Sequence, residues 1–108
     1  MIIYFPYLFY GDFQGMTIFP FIFIRYKYLK HNKILINHEK IHLRQQLEML
    51  WIFFFICYLV EYIINLIKYK NTNIAYHKIS FEREAYINDK NMKYLNKRKI
   101  WAFIKYLK

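Results

Sequence analysis

His38-Glu39-Lys40-Ile41-His42-Leu43-Arg44-Gln45-Gln46 is the stretch whose reading decides the fold. In a helix, residues four apart stack on one face, so His38 and His42 present two imidazoles to one point, a spacing that suits two nitrogen ligands of zinc. Glu39 then lies beside that point. In sites built this way the glutamate stays off the metal and accepts a proton from water whose pKa the metal has lowered to about 7. The competing reading is an ordinary helix with two exposed histidines, and the surrounding sequence has to choose between them.

Upstream, residues 2–10 are aromatic and β-branched, Gly11-Asp12 and Gly15 mark turns, and residues 17–28 form a second extended run. Residues 1–29 therefore read as a short β-hairpin or a pair of edge strands. Pro20 has no N–H for a ladder, which demotes the second run to an edge or bulged strand. An open edge just before the His-Glu-x-x-His helix is what a peptide-binding enzyme needs. Lys30, His31, Asn32 and Lys33 separate the strands from a helical stretch that runs without Gly or Pro over residues 34–70. Residues 69–80 are polar and turn-like. Ser80 is a good N-cap for a helix whose first turn holds Glu82 and Glu84. A last helix is expected from Asn91 or Lys97 to Leu107, within a C-terminal segment spanning residues 80–107. The expected fold is α+β and mostly α, in a single domain over residues 1–108.

A zinc site needs a third protein ligand while one position stays open. Glu82, Glu84 and His77 are the candidates. Here the sequence resembles the glutamate-type zincins (gluzincins), whose first helix carries His-Glu-x-x-His and whose second carries Glu-x-x-Ala-Asp or a near variant. The corresponding string is Glu82-Arg83-Glu84-Ala85-Tyr86. The resemblance makes Glu82 the third ligand and Ala85 the small residue that lets the two helices approach. Tyr86 stands where the family has an aspartate that orients a zinc-bound histidine; Asp89, one turn further on, is the replacement the sequence offers. The wider pattern, residues 38–46 followed by Ile79-Ser80-Phe81-Glu82-Arg83-Glu84-Ala85-Tyr86, also resembles a group of small bacterial proteins of about this size over most of residues 17–108. The resemblance implies a zincin-like fold, a zinc cofactor and a peptidase acting on a peptide or protein substrate.

Composition adds a second theme. The chain is 57% hydrophobic and 23% aromatic, yet carries 17 Lys and Arg against seven Asp and Glu, a net charge of +10. Nucleic acid ranks below a membrane surface as the partner of that charge, because the lysines are scattered rather than gathered in one arm. Toward the C-terminus, Lys93, Lys97, Arg98, Lys99, Lys105 and Lys108 interleave with Tyr94, Trp101, Phe103 and Tyr106, a pattern suited to anionic headgroups. The single Cys57 excludes an intramolecular disulfide and reads as a small buried hydrophobe. No basic n-region or cleavage site marks a signal peptide, so localisation is expected to be cytoplasmic or membrane-associated.

Residues 49–67 have nearly the length of a bilayer span, interrupted by Glu61 and Asn65. The unbroken apolar run covers only residues 49–60, the length of a core or interfacial helix. If this stretch crossed a bilayer, Glu82 would emerge about 30 Å from the histidines. A Glu82-ligated metal and a true span therefore exclude each other, and the helix must lie in a soluble or interfacial protein, or break near Glu61 and turn back. So many apolar side chains imply an exposed patch, and with it membrane-surface attachment or self-association.

Three functions fit these readings. The leading one is a zinc metallopeptidase in which His38, His42 and Glu82 bind the metal, Glu39 is the general base, and the strand at residues 17–24 pairs with substrate. The others are a small membrane-surface or membrane-embedded interaction protein whose histidine motif is incidental, and a zinc-stabilised structural module without turnover.

Overall fold

Alternation of side chains sets the sheet. In the computed structural model, which describes residues 2–9, 11 and 13–107, β3 (Phe21–Ile24) buries Ile22 and Ile24 on one face and leaves Phe21 and Phe23 half-buried on the other. It is the central strand. β1 (Ile2–Tyr4) pairs with it in parallel, Ile3 opposite Phe23, and β2 (Gly15–Ile18) pairs antiparallel, Thr17 opposite Ile22. The expected edge strand containing Pro20 is thus corrected: Phe19 and Pro20 form the turn between β2 and β3, where a missing N–H costs no ladder bond. The first strand is also shorter than expected, because Pro6–Leu8 forms a 3-10 turn. Tyr10, Asp12 and Lys108, assigned above to a strand, a turn and a basic cluster, lie outside the described residues.

A 3-10 turn at Lys27–His31 leads into α1 (Lys33–Glu48), whose N-terminus is capped by the Asn32 side chain accepting from the Leu35 N–H. Ile22, Ile24, Leu29 and Ile36 form the core between sheet and helix. The long helix expected over residues 34–70 is two helices. The break falls at Leu50 and Trp51, both with positive φ (52° and 36°), rather than at Glu61. Neither is glycine, so each costs on the order of 1–3 kcal/mol. Tertiary packing offsets that cost: the break lets α2 (Ile52–Tyr69) fold back so that Phe54 joins Ile79, Phe81 and Phe103 in a second core.

Beyond a left-handed cap at Lys70, residues 69–80 are not simply turn-like. They contain α3 (Thr72–His77), capped by Asn71 and running back along α2, where Asn65 Nδ2 donates to the Ala75 carbonyl. Ser80 is not the cap of the next helix but its first residue. Its N–H and hydroxyl both donate to the carboxylate of Glu61, each at 2.8 Å, so an acidic side chain from α2 satisfies the start of α4 (Ser80–Asn88). Ala85 is fully buried where α4 packs on α1. In place of one terminal helix there is a single turn, α5 (Tyr94–Lys97), and a 3-10 turn at Ala102–Tyr106. Arg98 explains the interruption. Its side chain is buried between Glu48 and Glu84, and the chain leaves helical geometry there to deliver it.

Candidate metal centre

Helix geometry carries His38 and His42 to one place, and the start of α4 supplies the third group. His38 Nε2 and His42 Nε2 lie 3.2 Å apart, and Glu82 Oε1 lies 3.2 Å from the first and 3.1 Å from the second. All three residues are buried. Ligands 2.0–2.1 Å from a tetrahedral metal sit about 3.3–3.4 Å from one another, so this triangle has the edge length of one tetrahedral face. The three side chains can hold a metal ion.

The remote nitrogens explain why both Nε2 atoms face that point. His38 Nδ1 is 3.1 Å from Asp89 Oδ2, and His42 Nδ1 is 2.8 Å from Gln45 Oε1. Each acceptor fixes a proton on Nδ1 and turns Nε2 inward, where its lone pair becomes available to a metal once that nitrogen is deprotonated. Asp89 therefore does for His38 what the residue at the Tyr86 position was expected to do. Tyr86 instead sets its ring edge-on against His38, with centroids 4.4 Å apart. Glu82 is held too, since its Oε2 accepts from the Tyr58 hydroxyl at 2.6 Å.

Glu84 and His77, the other candidate ligands, lie outside the cluster. Glu84 is fully buried behind α1, where it accepts from Gln45 Nε2, Tyr94 and Arg98. His77 is exposed, with Nδ1 2.9 Å from the Asn73 carbonyl.

Glu39 sits beside the cluster with its Oε1 accepting from the Thr17 hydroxyl at 2.7 Å. Gly15 explains how the strand comes so close: a Cβ there would lie 3.1 Å from Glu39 Oε2 and 3.2 Å from Leu35 Cδ1. Burial raises the Glu39 pKa above the usual carboxylate range, against the lowering pull of His42, His38 and the Thr17 hydrogen bond. His42 behaves in the opposite way. Burial disfavours its charged form, but the Glu82 carboxylate outweighs that and raises its pKa to about 9. Glu82 in turn is held well below the usual range, with His42 and His38 overcoming its own desolvation.

A cleft of about 1070 Å³ opens over Glu39, His42 and Glu82, between β2 on one side and Phe55, Leu59 and α3 on the other. A recess of about 360 Å³ on the His38 side shares Gly15, Glu39, Tyr76 and Tyr86 with it. Among the described residues β2 has no strand beyond it. Because Arg25 N donates to Gln14 O, the alternation turns the backbone polar groups of Gly15 and Thr17 away from β3. Gln46 binds the far end of that edge, donating to Thr17 O and accepting from Phe19 N.

Sequence reasoning missed Gln45, Gln46, Thr17 and Tyr58. Gln45 had a signal, since a position three beyond His42 lies on the same helical face. Tyr58 had none, as one of twelve tyrosines. Comparison with protein-family models, curated proteins and solved structures gives no match to this chain.

Proposed function

We propose that the protein is a zinc-dependent metallopeptidase of the glutamate-type zincin kind. One observation carries the reading: two imidazoles with their Nδ1 protons fixed, and a carboxylate, converge at tetrahedral spacing beside a buried Glu39 at the floor of an open cleft. His38, His42 and Glu82 would hold the metal, and two nitrogens with one carboxylate oxygen suit zinc. Zinc in such a site acts as a Lewis acid and makes water nucleophilic near neutral pH.

The chain's own groups account for the rest. Thr17 occupies Glu39 Oε1 and leaves Oε2 to take a proton from water. The water oxygen adds to the peptide carbonyl carbon, and Glu39 returns the proton to the departing nitrogen as the C–N bond breaks. The outward backbone of Gly15 and the Thr17 N–H offer pairing to an extended peptide, while the Thr17 carbonyl is already held by Gln46. Tyr86 and Tyr76, with hydroxyls 3.1 Å apart at the cleft, are the donors to test for the carbonyl oxygen.

The deciding experiment is metal analysis of protein purified without chelator, alongside hydrolysis of unstructured peptides. About one zinc per chain, lost in His42→Ala and Glu82→Gln, is the expected result. Glu39→Gln should keep zinc and lose turnover. Zinc bound tightly with no hydrolysis of any peptide would leave only a structural module.

A further inference from the structure

The polar and apolar sides of α2 are reversed relative to a surface helix. Ile56, Leu59, Val60, Ile63, Ile64 and Ile67 fall within one arc of about 140° on the helical wheel. All six are 46–72% exposed. Short of Lys68 in its last turn, the side-chain polar groups that α2 spends inside the protein lie on the opposite side: Tyr58 on Glu82, Glu61 on Ser80 and Asn65 on the Ala75 carbonyl. Among the described residues α2 is the one helix long and apolar enough to cross a membrane, and only 6% of it is buried.

We propose that this face seats in the headgroup–acyl boundary of an anionic bilayer, with α2 lying in the membrane plane. The charge pattern supports a lipid partner. Basic residues stand at both ends of the stripe and none within it. Lys68, Lys70 and Lys78 are exposed at its C-terminal end, with the Lys68 and Lys78 amines 5.3 and 5.9 Å from the Tyr69 ring centre. At the other end stand the half-exposed Trp51 and Trp101, the latter brought there by its N–H on Glu48, with Lys97 and Lys99 exposed nearby. Amphipathic rings and lysine stems at the margins of an aliphatic stripe match the layering of a bilayer surface.

A second copy of the chain fits less well. A protein interface brings a hydrogen bond for every 100–200 Å² or so and draws on Trp, Tyr and Arg, whereas the stripe is aliphatic along its length. The net charge of +10 repels a second copy and attracts anionic headgroups. α3 argues against a crossing orientation, since its exposed Thr72, Asn73 and His77 run beside the C-terminal half of α2 and would be left in hydrocarbon. This proposal stands apart from the peptidase reading. The two meet at Leu59, which belongs to the lipid-facing stripe and also lines the cleft, so the cleft opens at the membrane surface.

The test is flotation of the purified chain with vesicles of phosphatidylcholine alone or mixed three to one with phosphatidylglycerol, beside an Ile56→Ser/Ile63→Ser variant checked for unchanged far-UV circular dichroism. The native chain should float with the anionic vesicles at least tenfold better than with the neutral ones and leave them in alkaline carbonate. The variant should partition about 100-fold more weakly, from the loss of two buried isoleucines. In the native chain alone, brominated lipid should quench the Trp51 and Trp101 fluorescence. The proposal is overturned by a chain that stays with neither vesicle, by a variant that binds equally well, or by unquenched tryptophans. A dimer dissolved by the variant without any vesicle binding would assign the face to a second copy. Retention in carbonate would place α2 across the bilayer.

Discussion

α1 and α2 are adjacent in sequence and opposite in what they bury. Of the eight buried residues of α1, six are polar: Asn37, His38, Glu39, His42, Gln45 and Gln46. α2 fully buries only Phe54 and exposes an aliphatic stripe. Hydropathy alone would exchange their places. Burying a polar group costs free energy unless every donor and acceptor is paired, and among the described residues no buried side-chain nitrogen or oxygen lacks a partner. Complete pairing removes the penalty but does not make such a network a better core than leucine and isoleucine. Polar residues at the centre of a small protein therefore point to selection for chemistry, and aliphatic residues on its surface to selection for contact.

The sharpest way to break that contrast is to take the chemistry out of α1 while leaving its shape. Glu39→Gln should lower peptide turnover by about 10³-fold, within the usual range for a general base, while zinc content and thermal stability hold. A variant as active as the native chain would remove Glu39 from the mechanism. Next in size come the groups that aim the imidazoles. Asp89→Ala and Gln45→Ala should each weaken zinc binding 10–100-fold in competition with a chromogenic chelator. Gln45→Ala should also destabilise the metal-free protein by roughly 1–3 kcal/mol, since Glu84 loses a donor in a fully buried place. Unchanged zinc affinity in both variants would mean that the ligands orient themselves.

The same helix predicts a pH dependence. The folded pKa of His42 is raised from 6.5 to about 9, so in the metal-free protein its ion pair with Glu82 contributes fully below about pH 6.5 and is lost as pH rises through 9. Metal-free thermal stability should fall between pH 7 and 9.5 by an amount on the order of 1–3 kcal/mol. Zinc requires a neutral imidazole, so the metal affinity should rise over that interval with release of about one proton per ion at pH 7.5. Calorimetry in two buffers of different ionisation enthalpy measures it, and zero proton release would mean that His42 is neutral before metal arrives.

The ease of reading the two helices from sequence differed for the same physical reason. The convergence of His38 and His42, with Glu39 beside them, was legible because a fixed spacing on a helix encodes it without knowledge of tertiary structure, whereas Glu82, on another helix, came only from the resemblance to the glutamate-type zincins, with Glu84 and His77 as alternatives. The pairing of Asp89 with His38 was only half legible, since it depends on how α4 ends against α1. Thr17 and Tyr58 reach the site across 22 and 24 positions of sequence, and no local pattern marks them. The break at Leu50 and Trp51 was hidden because its cause is the packing of Phe54 and Phe81 and not a glycine or proline. Glu61 looked like the point of interruption because a charge stood in an apolar run. Its role in capping α4 is a contact that hydropathy does not record.

The smallest expected effect sharpens the comparison from the side of α2. Ile56→Gln and Ile63→Gln each place a polar group on the aliphatic stripe of α2, and both positions face out of the protein. Away from lipid, exposed surface substitutions change stability by about 0.5 kcal/mol or less, so chemical denaturation should barely distinguish these variants from the native chain. Ile41→Gln, at a fully buried position of α1, should instead cost several kcal/mol through lost burial and an unpaired amide. If the α2 variants were as damaging as Ile41→Gln in the absence of lipid, the stripe would be covered by protein in solution. The contrast between the helices would then be one between a core and an interface, not between a core and a membrane face.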